Sequence, residues 1–260
     1  MLVTVKGAGI MKWVLLAAGG IAVSTLVGSI IGYFFKSISQ KAYDGIIGFS
    51  SGIMICAALF GLIEPSLEYG NSFSVITVCI GIISGALFLS LIDKVTSGLK
   101  DVIGINSKRE QGRVLLLVSA IAIHHFPEGI AAGVSFGSGN VSEIILVCGG
   151  IAIQNLPEAA IIIAPLISSG VTKSKAIVIA FISGAFEIAG TFIGYFAVNL
   201  SNAIMPFALA FAGGSMMYII IDEMIPQTHT HSYGGIASYS ALAGFCAMLG
   251  LDSLLELLLS

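Results

Sequence analysis

Charge is what this sequence has least of. Asp, Glu, Lys and Arg make up 10% of its 260 residues, against about 25% in soluble domains. No segment is polar enough to form a soluble domain. Cysteine is sparse as well: Cys56, Cys79, Cys148 and Cys246 each fall alone in an apolar run, with no Cys-x-x-Cys pair. That spacing argues against a disulfide framework or a zinc knuckle and leaves them as small core residues. Nothing in the sequence supports a nucleic-acid partner. The net charge of −3 and pI near 5.7 say little, because in such a chain the position of a charge matters more than the sum. What the chain has in abundance is apolar surface, 57% hydrophobic residues with a mean hydropathy of +1.03, and 32 glycines. Small residues let helices approach closely in lipid.

Crossing a bilayer takes about 20 mostly apolar residues, and eight stretches qualify, near 13–35, 45–65, 73–92, 113–136, 143–167, 176–198, 203–225 and 235–258. The expected fold is all-α and polytopic, one transmembrane domain over 1–260. The first stretch follows Lys6 and Lys12, as a signal peptide would. It exceeds the usual apolar core of about 7–15 residues and lacks a small-x-small cleavage site before a polar segment. It reads as a retained first helix. Basic residues then orient the set. With the N-terminus outside, the loops after spans one, three, five and seven are cytoplasmic. They collect Lys36 and Lys41, then Lys94, Lys100, Lys108, Arg109 and Arg113, then Lys173 and Lys175, which leaves only Lys6 and Lys12 outside. Both termini are expected outside. The longest connection, 93–112, reads as a basic cytoplasmic loop. A short turn with Gly137, Gly139 and Asn140 should make spans four and five antiparallel neighbours.

One motif occurs twice, thirty positions apart: Ile121-Ala122-Ile123-His124-His125-Phe126-Pro127-Glu128 and Ile151-Ala152-Ile153-Gln154-Asn155-Leu156-Pro157-Glu158. On a helix, positions i, i+3 and i+4 share a face. His124, His125 and Glu128 therefore converge, as do Gln154, Asn155 and Glu158. Glu187 stands in the middle of span six. A charged group at mid-bilayer costs at least about 2.5–3.5 kcal/mol, and no Lys or Arg lies at that depth to neutralise three carboxylates. A bound cation or protons must do so. Imidazole with carboxylate and amide oxygens suits zinc and its first-row neighbours. An all-oxygen calcium cage has little use for histidines, and the absence of thiolate disfavours copper(I). Pro127 and Pro157 each free a carbonyl beside the polar pair, at Ile123 and Ile153. Interrupted helices of that kind are tolerated where they line a cavity.

These residues resemble the ZIP family of metal transporters, the GufA-like branch in particular. His124 to Gly129 match its His-Asn-x-Pro-Glu-Gly signature, Gln154 to Glu158 its Gln-Asn-x-Pro-Glu signature, and Ser183, Gly184 and Glu187 its Ser-Gly-x-x-Glu pattern. His125 stands where Asn is usual, Ala159 where many members have Gly, and Ile188 where a Pro often follows. The resemblance implies a 3+2+3 bundle, with spans one to three and six to eight as inverted repeats around a central pair. It also implies a two-metal centre. One position would use His124, Glu128, Gln154 and Glu158; its neighbour would use His125, Glu128, Asn155, Glu158 and Glu187.

Lesser candidates lie towards the two ends of the spans. Glu64 and Glu68, around Pro65, could concentrate cations at an entrance or simply sit in a solvated helix end. Asp222, Glu223, His229 and His231 could serve an exit or be merely solvated. The function expected is transport of divalent transition-metal ions into the cytoplasm, across the plasma membrane of a prokaryote. Zinc is the leading cargo, with Fe2+, Mn2+, Co2+ and Cd2+ as others, and no organic cofactor is expected. The bilayer and the metal are the partners, and a homodimer is compatible with the sequence. The alternative is an intramembrane metal-dependent hydrolase, since the same ligands can activate water. Against it, the His-Glu-x-x-His helix is missing. A haem carrier fits poorly, because other spans offer no facing histidine.

Overall fold

A computed structural model describes residues 9–34, 39–68, 74–102, 125–168, 172–200, 204–229 and 234–259. Among these residues the regular structure is all helical, with no extended strand. In chain order the helices are α1 (Ile10–Phe34), α2 (Gln40–Glu68), α3 (Ser74–Val102), α4 (described over 125–135), α5 (Val141–Ser168), α6 (Lys173–Leu200), α7 (205–229) and α8 (Gly234–Leu259). Six spans within α1, α2, α3, α6, α7 and α8 are long and apolar enough to cross a membrane. At 1.5 Å per residue, the 28 residues of α5 reach about 42 Å. The outside of the bundle is apolar: Leu16, Phe34, Leu87 and Leu257 are all more than 60% exposed. A soluble protein rarely shows so continuous an apolar coat, whereas lipid requires one.

Three features differ from what the sequence suggests. Helix α3 runs ten residues past the expected limit at 92, to Val102. Gly98 is the weakest helix former there and costs only about 1 kcal/mol, and no proline intervenes, so the polar segment continues the helix instead of starting a loop. The rest of the expected loop, 103–112, and the first part of span four, 113–124, lie outside the described residues. Next, α2 carries on through Pro65. A π-helical turn at Leu59–Ile63 precedes it, with the Glu64 N–H donating to Leu59 O. The same arrangement recurs in α7, where a π-turn at Ile220–Met224 comes just before Pro226 and the Ile225 N–H donates to Ile220 O. The wider turn absorbs the register that each proline disturbs. Last, α5 is unbroken through Pro157, so the expected interruption is absent there.

The α4–α5 connection is as short as its composition suggests. Gly139 adopts φ 66°, a left-handed conformation that favours glycine. Asn140 then caps α5, its Oδ1 accepting from the Ser142 N–H at 3.0 Å. Packing sorts the helices into two groups of four. Helix α1 lies along α5 and α6, and α4 lies along α6; α2 lies along α8, and α3 along α7. Within each group backbones touch at glycine. A Cβ on Gly28 or Gly32 of α1 would run into the Leu156 or Ala160 carbonyl of α5, and one on Gly129 or Gly133 into the Glu187 or Thr191 carbonyl of α6. Between the groups α5 meets α2 and α8 differently, through side-chain ends: Gly150 faces the Ala57 methyl and the Met248 thioether, and Gly61 faces Val147.

Candidate metal centre

The centre is built inside the first group of helices. His125 and Glu128 are one turn apart on α4, and Gln154, Asn155 and Glu158 share a face of α5. Glu187 comes from the middle of α6, where glycine contacts hold α4 and α6 backbone to backbone. All six side chains are at most 6% exposed. Glu187 Oε1 accepts from Asn155 Nδ2 at 2.7 Å and is bonded to His125 Nδ1. The same imidazole nitrogen stands 3.6 Å from Glu128 Oε2, so His125 lies between two carboxylates of different helices. Glu128 Oε1 accepts from Gln154 Nε2 at 2.8 Å. The two amides thus spend their N–H groups on the carboxylates, and their oxygens face elsewhere.

Four buried oxygens of this cluster have no hydrogen bond: Glu128 Oε2, Gln154 Oε1, Asn155 Oδ1 and Glu187 Oε2. Every one is an acceptor. Burying an acceptor without a donor costs about 1–3 kcal/mol, and more when it is charged. So many at one place would be satisfied by a bound cation or by protons on the carboxylates. His125, Glu128 and Glu187 each offer a ligand atom, all within 4.8 Å of one another; among the described residues this is the one such group. Ligands at about 2.0–2.2 Å from a zinc ion stand some 3.5 Å apart, close to the 3.6 Å between His125 Nδ1 and Glu128 Oε2.

The structure brings His125, Glu128, Gln154, Asn155 and Glu187 together. Glu158 is buried on the same face of α5, and His124 lies outside the described residues. The lesser candidates stand apart from the cluster. Glu64 is exposed near the end of α2, and Glu223 is half-buried on the π-turn of α7. His229 ends α7, with its side chain outside the description, as is all of His231. Two buried polar residues are additional. Thr25 of α1 is 1% exposed and donates to Glu187 Oε1 at 2.7 Å. Asp44 of α2 is wholly buried and accepts from Gln40 Nε2 at 2.7 Å. A lone threonine in an apolar helix gives no signal in sequence, since it ordinarily bonds its own i−4 carbonyl. Asp44 directly precedes the expected span at 45–65, and only the start of α2 at Gln40 puts it inside the helix.

Carboxylates, imidazole and amides gathered in a dry helical interior are the expected equipment of a metal carrier, and comparison with known sequences agrees. The sequence profile described as ZIP Zinc transporter matches residues 104–252, more than half the chain. The chain belongs to the ZIP family. Its similarity to the zinc transporter GufA of Myxococcus xanthus is 32% identity over 226 residues, covering 84% of this chain and 89% of that protein. Zinc transporter ZIPB of Bordetella bronchiseptica is 30% identical over 254 residues, covering 93% and 81%. Zinc transporter ZIP11 of Xenopus tropicalis is 28% identical over 315, covering 88% and 93%. ZIP membership makes the chain a membrane metal transporter, not an enzyme.

Proposed function

We propose that this ZIP protein carries divalent transition-metal ions, zinc foremost, into the cytoplasm through the centre on α4, α5 and α6. The observation that carries the reading is the meeting of His125, Glu128 and Glu187 beside four hydrogen-bond-free oxygens. An arriving ion takes over the charge balance of the carboxylates, and His125 exchanges its bond to Glu187 for the metal. Imidazole nitrogen with carboxylate and amide oxygen favours zinc and its first-row neighbours over magnesium or calcium. Glu158 and the preceding His124 complete a second position beside the first, with Glu128 shared.

The two groups of helices support alternating access. Every described ligand belongs to α4, α5 or α6, so a shift of α1, α4, α5 and α6 against the other four moves the ion with its shell intact. The side-chain contacts of α5 with α2 and α8 permit such sliding better than the glycine-seated contacts within each group. The pairings α2–α8 and α7–α3 interchange under a twofold that swaps helices one to three with six to eight, and the matched π-turns of α2 and α7 obey it too. This supports the 3+2+3 inverted repeat. The distribution of basic residues supports an orientation with both termini outside, and the membrane we assign is the plasma membrane of a prokaryote. In that orientation Glu223 stands on the cytoplasmic side and, like Glu158, within electrostatic reach of Tyr43 on α2. It is the next stop for a departing ion.

The test is uptake of radioactive zinc into proteoliposomes by wild type, Glu128→Gln and Glu158→Ala. Wild type should accumulate zinc, and each variant should lose at least about a hundredfold, since even residues that only support metal ligands give 10–100-fold effects. Flux that survives both substitutions, or hydrolytic turnover without flux, overturns the reading and revives the intramembrane hydrolase.

A further inference from the structure

We propose that Thr25 of α1 is a positioning residue of the metal centre, fixing Glu187 so that its Oε2 is the oxygen offered to the ion. This rests on the transport reading but concerns a helix that the family profile does not reach, since the match begins at residue 104. The argument starts from one proton. The Thr25 hydroxyl has two acceptors within range, its own Ile21 carbonyl at 3.3 Å and Glu187 Oε1 at 2.7 Å. The bond to the carboxylate is shorter and charge-assisted, and so it takes the proton. The hydroxyl oxygen in turn accepts from Asn155 Nδ2 at 3.1 Å, while the same amide donates to Glu187 Oε1 at 2.7 Å. Thr25, Asn155 and Glu187 thus close a ring across three helices.

Two consequences follow for the ligands. The Asn155 amide nitrogen donates inside the ring to both Thr25 Oγ1 and Glu187 Oε1, and Asn155 Oδ1 has no donor. A flipped amide would set Oδ1 against Glu187 Oε1, acceptor against acceptor. Glu187 Oε1 meanwhile receives Thr25, Asn155 and His125, while Oε2 receives none. The carboxylate is therefore differentiated: one oxygen anchors it to the protein and the other is left to the metal. Glu187 then binds through a single oxygen. Helix α1 is held where this works. Gly28 and Gly32 seat it on the Leu156 and Ala160 backbone, and Ser24 Oγ donates to Ala152 O. Thr25 consequently stays with α5 and α6 when the first group moves.

The experiment compares Thr25→Val, which keeps the shape and loses the hydroxyl, with Thr25→Ser, which keeps the hydroxyl. Equilibrium zinc binding by purified protein in detergent is read first, because it does not depend on transport; zinc uptake into proteoliposomes then gives KM and kcat separately. Thr25→Val should weaken zinc binding and raise KM about ten- to a hundredfold, the range for residues that orient metal ligands, with kcat within about threefold. Thr25→Ser should restore both to within about threefold of wild type. If Thr25→Val does not purify as a monodisperse protein, Thr25→Ala takes its place with the same expected loss. Wild-type affinity in the hydroxyl-free variant overturns the proposal, and so does an equal defect in Thr25→Ser, which would reduce Thr25 to packing. A wild type that binds zinc without carrying it sinks the transport reading alone.

Discussion

The seat of α1 on α5 can be tested with one substitution placed twice. At Gly28 a Cβ would meet the Leu156 carbonyl oxygen and lie 2.9 Å from its carbon and 3.0 Å from its Cα. These are backbone atoms, so no rotamer change relieves them. Ordinary carbon contacts begin at about 3.5 Å, so Gly28→Ala must push α1 off α5 by something near an ångström. Overpacking of this kind costs about 1–3 kcal/mol. At Gly20, two turns earlier in the same helix, a Cβ meets nothing within 4 Å. There the intrinsic preference of helices for alanine should stabilise by about 0.5–1 kcal/mol. The same change should therefore act with opposite signs eight residues apart.

The displacement also reaches the centre. Thr25 is one turn from Gly28, and its bonds of 2.7 and 3.1 Å would lengthen towards the limit of hydrogen bonding. Gly28→Ala should thus lower the unfolding temperature by several degrees and raise the KM for zinc, whereas Gly20→Ala should raise the unfolding temperature and leave KM alone. Thermal unfolding in detergent and uptake into proteoliposomes read the two effects. Equal unfolding temperatures for the two variants would refute the close seating of α1, and an unchanged KM in Gly28→Ala would refute its link to the metal centre.

Two other outcomes test the ligands directly. Zinc at a hundred times its Kd should stabilise the wild type by about 2.7 kcal/mol, seen as a rise in unfolding temperature that a chelator reverses; Glu128→Gln should show no shift at the same concentration, and an undiminished one would remove Glu128 from the shell. His125→Asn replaces an imidazole nitrogen with an amide oxygen, the ligand type better suited to manganese. Manganese uptake relative to zinc should rise severalfold, and an unchanged ratio would mean that the imidazole does not touch the cargo.

Most of the centre was legible because its residues violate the composition around them. Glu128, Glu158 and Glu187 are acids in spans with no neutralising base, and the repeated Pro-Glu close tied two of them to equivalent positions on adjacent helices. What sequence could not supply was the third dimension of α1. Thr25 differs from its neighbours by a single hydroxyl, and its importance arises only because Gly28 and Gly32 bring the helix near enough for that hydroxyl to reach α6. The prolines misled for a related reason. Spans two and seven read as ending at 65 and 225, yet a π-turn before Pro65 and before Pro226 lets each helix continue, and a hydrogen bond shifted by one residue leaves no mark in composition. Period, charge and spacing report on one helix at a time. The distance at which two helices pack decides which polar atoms meet, and here a glycine stripe sets that distance. Glycine is common enough in membrane helices that only the partner backbone distinguishes Gly28, which α5 requires, from Gly20, which faces open space.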